Sequence, residues 1–406
     1  MMGVTALAVV VACDALTTEP PAAGDVFDGP LPDLTNEEMA TFIRGDEGFE
    51  RPFSVNEGLG PIFNNVSCGA CHSADGRGRA ENGLIRFSLG GDLLLHVGGP
   101  QIQDKAIAGA VPERLESLPM GVETSFRLPP PVFGVGLIEA IPESAILANA
   151  DPLDLDGNGI SGRANMVVPE DFVPGDEPGG FVMDVEFPEG RPQLGRFGRK
   201  AQVTSLLGQV VTAYREDMGI TSDFLPVENR NMVASRGTEG ADRVADPELP
   251  EEEFRAVLAY IRLLAPPAPG EMTPRREHGE ELFESVGCAG CHVPELETGP
   301  SSVSALAHQP VRLYSDLLLH DMGDGLADNR QDGDATGREW RTAPLWGLRP
   351  MRDFLNGEAF LLHDGSARSV EEAILLHGGE AQGVRDAFVA LGEEEREALL
   401  DFVESR

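Results

Sequence analysis

The chain has 406 residues, enough for two or three domains of ordinary size, each burying a core of its own. Its 41% hydrophobic and 24% charged residues are the balance of a folded globular protein and exclude one that is largely disordered or embedded in a membrane. With 31 Lys and Arg against 68 Asp and Glu, the formal net charge is −37; such a surface repels nucleic acid and suits a basic protein partner, although solubility or a salty habitat explains the acidity equally well.

Residues 4 to 12 are apolar and end in Val10-Val11-Ala12-Cys13. This is the pattern of an export signal closing on a cysteine that becomes acylated, so residues 1–13 are expected to be a lipoprotein-type signal segment with Cys13 as the membrane tether. A basic start is missing, since Met1-Met2-Gly3 carries no Lys or Arg, and a chance cysteine is the plainer reading. Residues 14–34, rich in Pro, Asp, Glu and Gly, read as a solvated linker.

Folding is expected to begin at Thr35, where Glu38 three residues on completes a capping box and Met39, Phe42 and Ile43 share one helical face. Cys68-Gly69-Ala70-Cys71-His72 follows. Two cysteines at this spacing can each form a thioether with one vinyl group of a haem, and the histidine after them turns its imidazole to the iron. Residues 80–249 form a long interior with alternating stretches at 84–89 and 181–187, which predict short antiparallel strands.

Within that interior Asp154, Asp156, Asn158 and the carbonyl of Ile160 stand at the first, third, fifth and seventh positions of a calcium-type loop, with Gly159 at the sixth and Asn165 at the twelfth. A plain Asp/Gly turn without an ion is the competing reading. Residues 250–264 predict an amphipathic helix carrying Phe254, Val257, Leu258, Ile261 and Leu264 on one stripe. The Pro-rich 266–273 then stops it and reads as an interdomain linker.

A second unit, 274–406, repeats the order of the first (35–265): a helix ending near Ser285, then Cys288-Ala289-Gly290-Cys291-His292, loops, and a final helix from about Glu393 to Val403. The expected fold is therefore mainly α, with two cytochrome c-like domains, the first enlarged by an insertion containing short β-strands. A zinc ribbon would hold its CxxC pairs much closer together, and a thioredoxin-like motif lacks the adjacent histidine. Two covalently bound haem c groups are the expected cofactors, with His72 and His292 as proximal ligands. Because such haems are attached outside the cytoplasm, the chain is expected in the periplasm or cell envelope.

The segments 51–72, 129–142 (PPPVFGVGLIEAIP), 154–163, 217–221, 317–328 (LLLHDMGDGLAD), 339–348 and 360–381 (FLLHDGSARSVEEAILLHGGEA) together resemble the bacterial di-haem oxidoreductase family, sometimes labelled thiol oxidoreductases and related to di-haem cytochrome c peroxidases. The resemblance implies that His377 is the sixth ligand of the C-terminal haem, where the peroxidase relatives usually carry Met; His363, His320 and Met322 are the fallbacks. It implies a labile histidine over the N-terminal haem, for which His96 is the candidate, and puts Arg199 where relatives often have an aromatic residue. It also implies that calcium fixes the inter-haem geometry.

The expected activity is peroxidase-like: an external donor feeds the C-terminal haem, which relays electrons to a reactive N-terminal haem where hydrogen peroxide is reduced. Glu139, in an apolar setting, is the candidate proton shuttle, unless it is an ordinary salt-bridged glutamate. A non-catalytic two-haem electron carrier and a component of a metal-uptake system are the alternatives.

Overall fold

The computed structural model describes residues 24, 26–72, 76, 78–173, 191–229 and 241–406. Cys13, the signal segment and the alternating stretch at 181–187 lie outside them. About a third of the chain is helix, 35%, and 11% is strand.

Helix α1 spans Asn36–Glu50. The capping box forms as expected: the Thr35 hydroxyl accepts from the Glu38 amide at 3.2 Å, and the Glu38 carboxylate accepts from the Thr35 amide at 2.7 Å. Phe42 and Phe49 are buried, but Ile43 is 52% exposed, because the contact face runs through Gly45 and Gly48 instead. These glycines let α1 lie against α5, Glu251–Leu263, at a distance that any Cβ on Gly45 would block by meeting the carbonyl of Ala256. The rings of Phe42 and Phe49 then pack on Tyr260, with centroids 4.8 and 5.5 Å away. All five residues of the stripe expected on α5 are buried.

Between α1 and α5 run β1 (Ile62–Phe63), β2 (Leu84–Ser88), β3 (Lys105–Ala106), β4 (Glu123–Arg127), α2 (Val135–Ala140), α3 (Glu143–Leu147), β5 (Met166–Val167), β6 (Gln193–Leu194) and α4 (Leu206–Ala213). Here the strands pair antiparallel in twos, β1 with β3, β2 with β4 and β5 with β6. The alternation at 84–89 thus forms β2, whose Phe87 is fully buried in a small core with Leu94 and Ile102. A π-helical segment, Tyr214–Met218, continues α4. Such bulges widen a helix by one residue per turn and often mark functional sites.

The second unit contains α6 (Pro274–Ser285), β7 (Leu296–Glu297), β8 (Pro310–Val311), β9 (Leu319–Asp321), β10 (Glu339–Arg341), α7 (Leu348–Phe354), α8 (Val370–Leu376), α9 (Gln382–Ala390) and α10 (Glu393–Glu404). It repeats the contact of the first: Gly279 of α6 lies against the carbonyl of Ala398 in α10, and Phe283 packs on Phe402 with centroids 5.5 Å apart. In each unit a helix before the CxxCH motif is locked to the closing helix through a glycine.

The two units are not separate bodies. Leu296, Val303, Leu313 and Trp346 of the second pack into the core built by α1, α2, α4 and α5, and Leu128 of the first joins the core around Phe283, Phe388 and Phe402. Charge joins them as well. Arg127 of β4 reaches Asp328 at 2.8 Å and Asp332 at 2.6 Å, and Lys200 reaches Asp328 at 2.7 Å. The segment 266–273, expected to be a free linker, is pinned too: the Gly270 amide donates to the Ser405 carbonyl at 2.7 Å, and Arg349 donates to the Ala268 carbonyl.

Candidate functional site

The two CxxCH motifs are presented alike. Each follows the helix that its own unit locks in place, and each histidine has a phenylalanine of that helix beside it: Phe49 lies 6.1 Å from His72, and Phe283 lies 6.4 Å from His292, ring to ring. Burial pushes both imidazoles down to about 4, so both are neutral at physiological pH and each keeps a lone pair for a metal. The Nδ1 of His292 lies 2.9 Å from the Tyr314 carbonyl; donation there puts the proton on Nδ1 and frees Nε2. Burial also pushes the Cys71 thiol up to about 11 and the Cys288 thiol to about 12, the mark of apolar surroundings.

Around the first motif lies a cavity of about 1090 Å³, large enough for a porphyrin and a small substrate together. Cys68, Cys71, His72 and Phe49 form part of its wall. Trp346, Arg341 and Asp332 of the second unit complete it, so the N-terminal site is closed by C-terminal residues. His72 is the one histidine among the described residues of the lining.

The lining is polar at chosen points. The π segment brings in Glu216 and Asp217; burial raises both, Asp217 to about 6. The Asp217 carboxylate accepts from Gln101 at 2.6 Å, and its main-chain carbonyl accepts from Asn64 and Asn65 just before the motif. Glu170, after β5, also faces the cavity, and burial raises its carboxyl. Sequence reasoning assigned no role to Glu170, which stands in no motif, or to Asp217, which opens the 217–221 segment, because the insertion fold brings both to the cavity. Arg199, also in the wall, donates to the carbonyl of Leu128 at 3.0 Å and braces the proline run behind it.

The residues proposed for chemistry at this site lie elsewhere. Glu139 accepts from Arg262 Nε at 2.7 Å and from the Leu206 amide at 2.7 Å, tying α2 to α5 and α4, and is not in the cavity lining. It is the salt-bridged glutamate of the plainer reading. His96 sits exposed on a short 3-10 turn; its neighbour Leu95, not His96 itself, lines the cavity.

At the second motif His377 caps the C-terminal end of α8 and donates from Nδ1 to the Ala373 carbonyl at 2.6 Å. Burial lowers its pKa, and it is near enough to His292 to depress that residue's pKa further. Two neutral imidazoles, each with Nδ1 held by a main-chain carbonyl, thus stand at this site. The fallback ligands are differently engaged. His320 is fixed between Asp316 and Glu380, at 2.8 and 2.9 Å, which hold its pKa far up, at about 12. His363 stacks on Trp340 with ring centroids 3.8 Å apart. The backbone of Met322 passes beside Gly378, next to His377.

In the acidic loop Asp154 and Asp156 converge with Asp151, a residue not anticipated, their carboxylate oxygens within 4.8 Å of one another. Asn158 turns back on the loop, its Nδ2 donating to Asp156 and its Oδ1 accepting from the Ile160 amide. Asn165 does not close the loop as a twelfth ligand. It is buried and donates to the carbonyls of Lys200 and Asp332 while accepting from the Asp334 amide.

A family model described as "Di-haem oxidoreductase, putative peroxidase" matches residues 13–85 and 107–406. Among curated proteins none matches. Among solved structures, the chain is similar to one described as "Kuenenia stuttgartiensis Hydrazine Synthase Pressurized with 20 bar Xenon", at 14% identity and a TM-score of 0.35, covering 100% of both chains. It is also similar to one described as "Crystal structure of a MauG-like protein associated with microbial copper homeostasis", at 19% identity and a TM-score of 0.29, covering 51% of this chain and 67% of that one.

Proposed function

The chain belongs to the di-haem oxidoreductase family, and from that membership we propose that it is a peroxidase-like enzyme of the cell envelope with c-type haems on Cys68, Cys71 and His72 and on Cys288, Cys291 and His292. In this reading the two sites do different work. His292 and His377 would hold a haem that supplies electron relay from an external protein donor, and His72 alone would hold a haem that supplies an iron open to hydrogen peroxide. The overall reaction takes two electrons from that donor and two protons to convert one peroxide into two waters.

The observation that carries this reading is the asymmetry of the sites: a second neutral, Nδ1-tethered histidine beside His292, and an open cavity with no second histidine in its described lining beside His72. When bound, haem supplies a redox-active iron at each site. The side chains do the rest. Glu170 lines the cavity, where burial raises its carboxyl, and is the candidate to pass a proton to a substrate there, the role first expected of Glu139. Arg199 and the proline run of 129–131 keep the wall rigid.

Three further parts belong to the same reading: acylation of Cys13, which would tether the enzyme to a membrane without a spanning helix; a basic donor protein drawn to the acidic surface; and a calcium ion at Asp151, Asp154, Asp156 and the Ile160 carbonyl. The test of the enzyme is peroxide-dependent oxidation of a reduced donor by haem-loaded protein, with mass spectrometry of the two CxxCH peptides. Turnover together with one haem on each peptide is expected. Haem on both peptides without turnover would leave an electron carrier.

A further inference from the structure

His320 is 2% exposed and has a carboxylate against each ring nitrogen: Asp316 Oδ2 lies 2.8 Å from Nε2, and Glu380 Oε2 lies 2.9 Å from Nδ1. A carboxylate only accepts, so both nitrogens must donate, and the ring is an imidazolium by its hydrogen bonds alone. Its Nδ1 is also 3.6 Å from Cys291 Sγ. Both carboxylates are anchored in turn. Asp316 Oδ1 accepts from the Leu318 amide at 2.9 Å while the Asp316 amide donates to the Cys291 carbonyl at 3.0 Å, and Glu380 accepts from the Ser161 hydroxyl at 2.6 Å, the Ser161 amide at 2.9 Å and the Asp321 amide at 3.2 Å. Gly162 lies over the ring; a Cβ there would stand 3.1 Å from Cε1. The imidazole is therefore held at both ring nitrogens, with Gly162 packed close to its Cε1.

From this geometry we infer that Asp316, His320 and Glu380 form a fixed carboxylate–imidazolium–carboxylate unit that sets the potential of the C-terminal haem and positions the segment carrying His377. The inference rests on the reading of Cys288, Cys291 and His292 as a haem site. Glu380 follows His377 by three residues, so the carboxylate that grips His320 also clamps the ligand segment to β9 and to the end of the acidic loop at Ser161. None of the three is a catalytic residue; each acts through its neighbours. The unit carries two negative charges and one positive, in a buried place where charge is weakly screened. Removing the imidazolium leaves uncompensated carboxylates, which favour ferric iron. Removing Glu380's charge does the reverse.

The experiment is a redox titration of full-length, haem-loaded protein, followed by visible and EPR spectra, for the wild type, His320→Gln and Glu380→Gln. The C-terminal midpoint should fall in His320→Gln and rise in Glu380→Gln, with the N-terminal midpoint unmoved. A purely structural role would give shifts of one sign or none, and either result overturns the inference. If His320→Gln does not accumulate with haem, Glu380→Gln decides alone: an upward shift supports the unit, and an unchanged or lowered midpoint overturns it. Mass spectrometry of the Cys288–Cys291 peptide separates the two failures, since a peptide without haem removes the underlying reading, whereas a haem-bearing peptide with an unmoved midpoint removes only the inference.

Discussion

His377 donates from Nδ1 to the carbonyl of Ala373, four residues earlier in α8, at 2.6 Å. The bond fixes the tautomer and leaves Nε2 without the proton, as the bond to the Tyr314 carbonyl does for His292. In a holoprotein the pair would make a bis-histidine, low-spin centre with a lower potential than a His/Met one. His377→Met should therefore raise the C-terminal midpoint while keeping that haem low-spin, and His377→Ala should give a high-spin signal there. EPR of the oxidised proteins checks both; a low-spin signal unchanged in His377→Ala assigns the sixth position to another residue.

The separation of Glu139 from Glu170 gives a paired test. Glu170→Gln removes the titratable carboxyl in the cavity lining and should lower the peroxide rate roughly 10²-fold or more, with both haems retained. Glu139→Gln should leave the rate of the folded enzyme near wild type but lower stability, because it removes the carboxylate charge that the buried Arg262 Nε donates to. Steady-state kinetics alongside chemical denaturation distinguishes the roles, and the opposite pattern would restore Glu139 as the acid.

Arg127 reaches across the two units to Asp328 and Asp332, all three nearly inaccessible. Arg127→Met should destabilise the protein by about 3–5 kcal/mol, since two buried carboxylates lose a shared cation. In denaturant the units should still unfold together, because Leu296 and Trp346 remain packed in the first core. Two resolved transitions in the variant would show that the ion pairs, not the shared core, couple the units.

Burial raises Asp217 from its ordinary 3.8 to about 6. A carboxyl whose folded pKa lies above its unfolded one binds protons better when folded, so it lowers stability fully above about pH 6 and not at all below about pH 4. Across that window the folded state should lose about 3 kcal/mol through this group as pH rises. Asp217→Asn should flatten that part of the stability profile of haem-loaded protein, measured by denaturant melts from pH 4 to 7. An unchanged slope would place the titration elsewhere.

What could be read from sequence was local. The box at Thr35 and Glu38, the apolar stripe of α5 and the CxxCH spacing are set by residues a few positions apart, and local physics places them correctly. Ile43 was assigned to the buried face because periodicity weighs side chains, whereas α1 packs through Gly45 and Gly48, where the backbones themselves make the contact. Glu139 looked like a buried acid for a related reason: its apolar neighbours are adjacent in sequence, and its partner Arg262 is 123 residues away. Glu170, Asp217 and Asp151 carry no spacing signal and acquire their positions only when the insertion folds. The same holds for Asn165, whose place in a loop pattern is overridden by three main-chain partners, those of Lys200, Asp332 and Asp334.

The central claim is that the two haem sites are unequal, and spin-state spectroscopy of the redox-poised holoprotein tests it most directly. With the C-terminal haem reduced and the N-terminal haem still ferric, the expected result is one low-spin, six-coordinate ferrous haem and one high-spin ferric haem that shifts on addition of a small anionic ligand. Two low-spin, six-coordinate haems in every redox state, unmoved by added ligand, would contradict it.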